Sequence, residues 1–419
     1  MSAAVIEEIF RREGGRVLAT LIRLLGDFDL AEEARQEAFA AAIEQWPATG
    51  IPDNARAWLV HVGRNKGIDH IRRQALLREK VAGLAHEDDE AAWHGGAGDP
   101  AQAQEEGFGD DRLRLIFTCC HPALSLEAQV ALTLHTVCDL RSEQVARAFL
   151  VSQQTLWQRL VRAKRKIREA KIPYETPPPE LLNERVDGVL AVIYLVFSEG
   201  YAVTSGTELV REDLCREAIR LARLLDALLP GRADLKGLLA LMLLHDARRK
   251  ARVSADGDVV LLEQQDRRLW DQAQIAEGLE LVEQSLRTLE RISPYAVQAA
   301  IAALHVRPER PEATDWRQIV GLYEVLLRIQ PTPVIELNHA VAVSMVDGPA
   351  RALDLIDSLA ARSEMGGYHL LHSARARLLE QLGRTDEARV AYRMALGSVA
   401  SDPERRLLER RLMALSKSP

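Results

Sequence analysis

The sequence predicts an all-α protein: two small helical modules, the second a helix-turn-helix, followed by a long solenoid-like stack of helical hairpins. Three observations carry that expectation. Apolar residues recur at helical spacing, as in Val17, Leu21, Leu24 and Leu25, then Ala38, Ala41 and Ala42. Charge is sorted into blocks of alternating sign. Residues 1–55 hold five basic and ten acidic side chains, 56–80 hold seven and two, 81–111 hold none and nine, and 112–172 hold eleven and four. Proline and glycine clusters, at 47–52, 95–100 and 177–179, separate the helical stretches.

The bulk numbers narrow the class. The chain has 419 residues, 47% hydrophobic and 27% charged, a length that suggests two or three domains. Its longest apolar run, Val189 to Phe197, is nine residues, well short of the roughly 20 needed to cross a bilayer, so no membrane partner is expected. Met1 to Glu13 carries acids and no apolar core of a signal peptide, which points to a cytoplasmic protein. Four cysteines, Cys119, Cys120, Cys138 and Cys215, are too few for a disulfide framework and read as packing thiols. The net charge of −7 hides two cationic stretches separated by an anionic one, an arrangement able to hold nucleic acid at two places.

The first module, 1–80, is interrupted by Pro47 and the run Ala48 to Asn54, after which Asp53 or Asn54 can cap a new helix through about Arg78. Residues 81–110, with Gly95-Gly96-Ala97-Gly98-Asp99-Pro100 at their centre, lack an apolar period and read as a flexible, self-repelling acidic linker. The second module spans 111–172. A stiff connector, 173–180, contains Pro177-Pro178-Pro179. From 181 to 419 the pattern is helix after helix, with a short hairpin expected at Asp256-Gly257.

Leu140 to Lys171 has the layout of a helix-turn-helix. Ser142 can cap a short helix bearing Val145, Ala146 and Phe149. A turn through Leu150-Val151-Ser152 follows, and a second helix begins near Gln153. Leu156, Leu160, Ala163 and Ile167 make its buried stripe. The other face shows Gln153, Gln154, Thr155, Gln158, Arg159, Arg162, Lys164 and Arg165, continued by Lys166, Arg168 and Lys171. Glutamine and arginine can pair with adenine and guanine edges in a major groove, while trailing cations suit phosphates. A merely solvated basic face remains the bland alternative.

The other basic stretch, Arg56 to Lys80, follows the Pro/Gly loop. Trp58, Leu59 and Val62 can anchor it, and Ile68 and Ile71 continue an apolar seam. His61, Arg64, Asn65, Lys66, Arg72 and Arg73 are left for a ligand such as a separated strand, with an unstacked base accepted in the loop. Trp58 as plain core with solvated cations around it is the competing reading.

Together the two stretches resemble an extracytoplasmic-function sigma factor of bacterial RNA polymerase. The first resemblance runs through Asp29-Leu30-Ala31-Glu32-Glu33-Ala34-Arg35-Gln36-Glu37-Ala38-Phe39, Trp46-Pro47, Trp58-Leu59, Arg64-Asn65 and Ile68 to Arg73. The second runs from Asp111 through Phe117-Thr118-Cys119-Cys120-His121-Pro122 to Gln158-Arg159-Leu160-Val161-Arg162-Ala163-Lys164-Arg165-Lys166-Ile167. The resemblance implies that Asp29, Glu32, Glu33, Gln36 and Glu37 dock on core polymerase. It implies that the Trp46–Ala55 loop and the helix after it, with Trp58, His61, Arg64, Asn65, Lys66, Arg72 and Arg73, open and read the −10 element. It assigns the −35 element to Gln153–Arg165.

Ordinary members of that family have nothing beyond the second module. Here Ala376, Gly383, Ala388, Tyr392 and Ala395 match a tetratricopeptide helix pair, with looser copies at Ala340, Ala352, Ile356, at Tyr323, Leu326, Pro331, and at Ala218, Ala222, Leu225, Pro230. With Val196 to Tyr201, Leu241 to Arg248 and Asn338 to Ala342, this resembles the sigma subgroup carrying a tetratricopeptide-like extension. There the extension takes a regulatory part, which implies a regulatory protein or ligand on this domain. Ser198 stands where asparagine is expected, so this protein's contact at that position is expected to differ.

Other constellations carry less. Adjacent Cys119-Cys120 with His121, His135 and Cys138 lacks the spacing that lets two thiolates reach one zinc ion. His245-Asp246 has no nucleophile nearby in sequence, and Asp256-Gly257-Asp258 lacks the other carboxylates of a calcium loop. No enzyme activity, cofactor or metal is expected. The rival to a sigma factor is a ligand-responsive helix-turn-helix regulator that does not replace sigma.

Overall fold

The computed structural model describes residues 3–82, 107–137, 140, 142–148, 151–203, 209–287, 292–362 and 365–417. These divide into two compact units, 1–192 and 193–419. Among the described residues both are helical and no β-strand forms. Most of the acidic linker, 83–106, lies outside the described residues, as do Cys138, Phe149 and Leu150.

In the first unit α1 (Ala3–Leu25), α2 (Phe28–Thr49) and α3 (Ala55–Ala82) pack pairwise around Val17, Leu18, Leu21, Ala34, Ala38, Trp46 and Leu59. Asp27 starts α2, its carboxylate accepting from the Asp29 and Leu30 amides. The expected interruption falls within Pro47 to Asn54, but at Gly50 rather than at Pro47, since α2 runs on to Thr49 and α3 starts at Ala55. Pro47 removes only the hydrogen bond to the carbonyl of Ile43, whose side chain lies exposed on the outer face, so the loss falls near the helix end. Gly50, at φ +82°, then ends the helix with its amide on the Trp46 carbonyl. Asn54 caps α3 by accepting from the Ala57 amide. Gly63 and Gly67 let α3 press on α1, for a Cβ there would meet Leu21 Cδ1 at 2.9 Å and Leu25 Cδ1 at 2.6 Å.

The same unit holds α4 (Gly107–Cys119), α5 (Leu126–Leu132) running into a π-turn at Thr133–Val137, then α6 (Ser142–Ala148) and α7 (Gln153–Glu169). Here α5 and α6 cradle α7, while α4 packs on α1. A buried polar clip ties the two helical groups. Asp111, 1% exposed, accepts from Thr20 Oγ1 at 3.1 Å and Arg23 Nε at 2.7 Å, both on α1, and from Arg114. The Tyr174 hydroxyl donates to the carbonyls of Ala19, at 2.8 Å, and Asp111. Helix α8 (Pro179–Tyr201) starts on the last residue of the proline run, and its N-terminal part, to Val192, belongs to this unit.

The second unit takes in the C-terminal part of α8 from Ile193, followed by α9 (Glu212–Leu228), α10 (Ala233–Asp246), α11 (Gln272–Leu286) and α12 (Pro294–Val306). Helix α10 is apolar all round and is buried by the other three. Between α10 and α11 the chain makes short 3-10 turns and one antiparallel bridge, Val253 to Val259, about Gly257 at φ +77°. That bridge is what forms of the expected hairpin. Then come α13 (Trp316–Ile329), α14 (Pro333–Asp347), α15 (Pro349–Ala360), α16 (His369–Gln381), α17 (Thr385–Ser398) and α18 (Asp402–Lys417), each packed on the next. The tetratricopeptide spacing is realised in α16–α17. Ala376, Ala388, Tyr392 and Ala395 are fully buried, and Gly383 takes a left-handed turn between the helices. Ala340, Ala352 and Ile356 play the same part in α14–α15.

Candidate nucleic-acid interface

Helix α7 is oriented by its apolar stripe. Ser152 caps it through the Thr155 amide at 3.0 Å, and Leu156, Leu160, Ala163 and Ile167 are buried. Gln153, Gln154, Thr155, Gln158, Arg162 and Arg165 therefore point outward, with Arg159 half-buried. Gln153 donates to Glu143 at 2.8 Å, Arg162 to Gln158 at 3.4 Å, and Arg159 lies 4.0 Å from Glu127. These are weak surface contacts that a groove could replace. Trp157, 61% exposed, and Val161 share the outward face. Two large apolar residues four apart on a polar helix face were a signal that the sequence reading did not use.

Lys164 departs from that face. It is 8% exposed, with Nζ 2.9 Å from Glu32 and 3.0 Å from Asp29 on α2. The reason is spacing: Lys164 stands four residues after Leu160, so its stem follows the apolar seam and its ammonium emerges against α2. Arg168 extends the contact, 3.6 Å from Asp29 and 3.8 Å from Asp27, and His135 lies 3.8 Å from Glu32.

On α2 the five residues expected to meet polymerase thus divide. Asp29 and Glu32 face α7, whereas Glu33 and Glu37 lie on the side nearer α3, Glu33 3.6 Å from His70 and Glu37 3.8 Å from Lys66, and Gln36 is exposed. Across α3, His61, Asn65, Lys66, Arg72 and Arg73 are exposed and Arg64 is half-buried. Asn65 and His61 hydrogen-bond at 3.1 Å. Trp58 is half-buried and packs against buried Trp46, with ring centroids 5.3 Å apart. Ile71 does not join the apolar seam; it is 39% exposed, beyond the reach of α1. At the start of α3, Arg56 donates to Glu13 at 2.7 Å. Burial alone would raise Glu13, but Arg56, Arg16 and Arg12 outweigh it and hold the carboxyl below its usual range.

Among the described residues the remaining constellations do not assemble into sites. Cys119 and Cys120 are buried, and burial pushes the Cys120 thiol up to about 12, so it stays protonated. His121 accepts from the Ala123 amide and His135 faces Leu140 and Glu32. Among the described residues no group of three metal-ligating side chains forms. Asp246 pairs with Arg249 and Gln274 and does not orient His245, whose Nδ1 faces Arg248. No described helix is long and apolar enough to cross a membrane.

Comparison with known proteins supplies the family. Residues 9–76 match the model of sigma-70 region 2, residues 114–167 that of sigma-70 region 4, and residues 185–286 a family of unknown function, DUF6596. An uncharacterized protein of Rhizobium meliloti (strain 1021) is 46% identical over 408 residues, covering 96% of this chain and 94% of its own. SigI of Mycobacterium tuberculosis, described as a probable ECF RNA polymerase sigma factor, is 31% identical over 163 residues. That match takes in 38% of this chain and 52% of SigI, so it spans about half of that relative. With both sigma regions in order on one helical unit and a helical extension behind them, this chain belongs to the extracytoplasmic-function sigma factors that carry a C-terminal extension.

Proposed function

We propose that this sigma factor binds core RNA polymerase through the α2 face, reads the −10 element with α3 and the loop before it, and reads the −35 element with α7. The modules doing so are 1–80 and 111–172, joined by 81–110, with 173–180 leading to a regulatory domain at 181–419. The observation that carries the reading is the exposure of Gln153, Gln154, Thr155, Gln158 and Arg162 on a helix whose opposite stripe is sealed. The trailing cations suit phosphates, and the exposed Asn65, Arg72 and Arg73 suit a strand backbone. Glu33, Gln36 and Glu37 offer polymerase an open polar patch, while Asp29 and Glu32 become free only when Lys164 and Arg168 leave them. The activity belongs in the cytoplasm, where polymerase and promoter DNA are.

Run-off transcription with purified core polymerase tests this. The expected result is a promoter-dependent transcript with this protein as the sole specificity factor. No transcript, with DNA binding intact, would favour the ligand-responsive regulator that leaves sigma in place.

A further inference from the structure

Three arginines of the second unit converge on one tyrosine and two histidines. Arg248, 8% exposed, donates from Nη2 to the Tyr201 hydroxyl at 2.8 Å and lies 3.0 Å from His245 Nδ1. Arg252 spreads over the Tyr201 ring, 3.5 Å from its centroid, and donates to the Tyr201 carbonyl. Arg267 donates to the carbonyls of His305, at 3.2 Å, and Pro308, at 2.6 Å. Some of this is structural, since the Tyr201 and His305 carbonyls sit at the C-terminal ends of α8 and α12, where cations are favoured.

Charge is left over after that role is counted. Among the described residues none of the three arginines has a carboxylate at ion-pair distance. Asp246 is committed to Arg249 at 2.7 Å and to Gln274 at 3.2 Å. Glu404 and Glu312 act on Arg252 and Arg267 only at longer range. The histidines add no compensation: burial first, then the neighbouring arginines, holds His245 well below its usual value and His305 at about 4, leaving both rings neutral. Donors are also spare. Arg248 Nε and Arg267 Nε are buried without a hydrogen-bond partner, as is the indole nitrogen of Trp270, whose ring lies 4.4 Å from the Arg267 guanidinium. Buried cations and idle donors are costly unless something negative meets them.

We propose that these residues form a binding site for a phosphate-class dianion, with Arg248 as its floor and Arg252, Arg267, Tyr201, His245 and His305 around it. Arg248 is buried while the other five remain partly exposed, so the cluster runs from the interior to the surface. A dianion with three or more acceptor oxygens suits three guanidinium groups better than a lone carboxylate does. Its source is either inorganic phosphate or the phosphomonoester of a small metabolite, and the site gives the extension's regulatory ligand a chemical class. The site stands whether or not the chain reads promoters.

Phosphorus NMR of inorganic phosphate and of glycerol phosphate, each titrated with the full-length chain near neutral pH, tests the site without polymerase or DNA. The expected result is saturable line broadening at or below about 1 mM ligand. Weakening by about tenfold or more should follow in Arg248→Gln and in Arg267→Gln, with circular dichroism reporting that each variant is folded. Tighter binding of glycerol phosphate would identify the phosphomonoester as the source, and tighter binding of inorganic phosphate the free ion. Should the Arg248 variant not fold, the wild-type histidine resonances decide, because a bound dianion must move the His305 titration to higher pH. No saturable binding by the wild type, binding indifferent to both folded variants, or an unmoved His305 titration would overturn the proposal.

Discussion

Lys164 Nζ lies 2.9 Å from Glu32 Oε2, so a cation of the helix proposed to enter DNA neutralises an acid of the helix proposed to meet polymerase. Both groups are well removed from solvent, and neither can serve its proposed partner while they hold each other. Lys164→Ala should therefore weaken the α2–α7 contact by about 1–3 kcal/mol, the range for one charged hydrogen-bonded pair. If polymerase competes for Asp29 and Glu32, the variant's affinity for core should rise by up to about tenfold per 1.4 kcal/mol released. An unchanged or reduced affinity in a direct titration with core would show that the contact does not compete.

Arg159 tests base reading on α7. Its truncation to alanine should cost about 1–3 kcal/mol on a −35 site if the guanidinium pairs with a base edge. Equal losses on a scrambled duplex would reassign it to a phosphate.

Glu33 is exposed and lies 3.6 Å from His70, so Glu33→Arg should leave thermal unfolding nearly unmoved while impairing binding to core. Normal binding to core would remove Glu33 from the docking surface.

Gly67 tests the close approach of α3 to α1. An added methyl would sit 2.6 Å from Leu25 Cδ1, and Gly67→Ala should destabilise the first unit by about 1–3 kcal/mol through overpacking. The gain in helix propensity, about 1 kcal/mol, offsets part of that. A midpoint unchanged or raised in thermal unfolding would show that Leu25 yields easily.

Glu13 gives the first unit an acid-side limit. Its folded pKa lies below the ordinary 4.5, so its contribution is complete above that value and declines as pH falls through the lower, folded one. Glu13→Gln should flatten this part of the acid unfolding curve and lower stability at neutral pH by about 1–3 kcal/mol, because Arg56 loses its charged acceptor. An acid limb identical to wild type would assign the decline to other carboxylates.

The helical stripes were legible because burial follows period. Leu156, Leu160, Ala163 and Ile167 are where the 3.6-residue repeat puts them, and Ala376, Ala388, Tyr392 and Ala395 mark a hairpin by size and spacing alone. Pairings between distant segments were not legible. Asp111 was counted with the acidic stretch before it, yet it sits 1% exposed between Thr20 and Arg23, residues some ninety positions away. Lys164 looked like one more cation on a basic face, since only the docked α2 helix distinguishes it from Arg165. The arginine cluster around Tyr201 was invisible for the same reason: its members come from three helix ends and two short turns.

The Tyr174 clip has a further consequence. One phenolic hydroxyl fastens the start of the connector, just past the second module, to α1 and to Asp111, and three side chains close on the Asp111 carboxylate. These hydrogen bonds predict that the two helical groups hold together without covalent continuity through 83–106. Fragments 1–82 and 107–192, made as separate polypeptides, should find each other and elute as one particle at concentrations above their dissociation constant, and Tyr174→Phe should raise that constant.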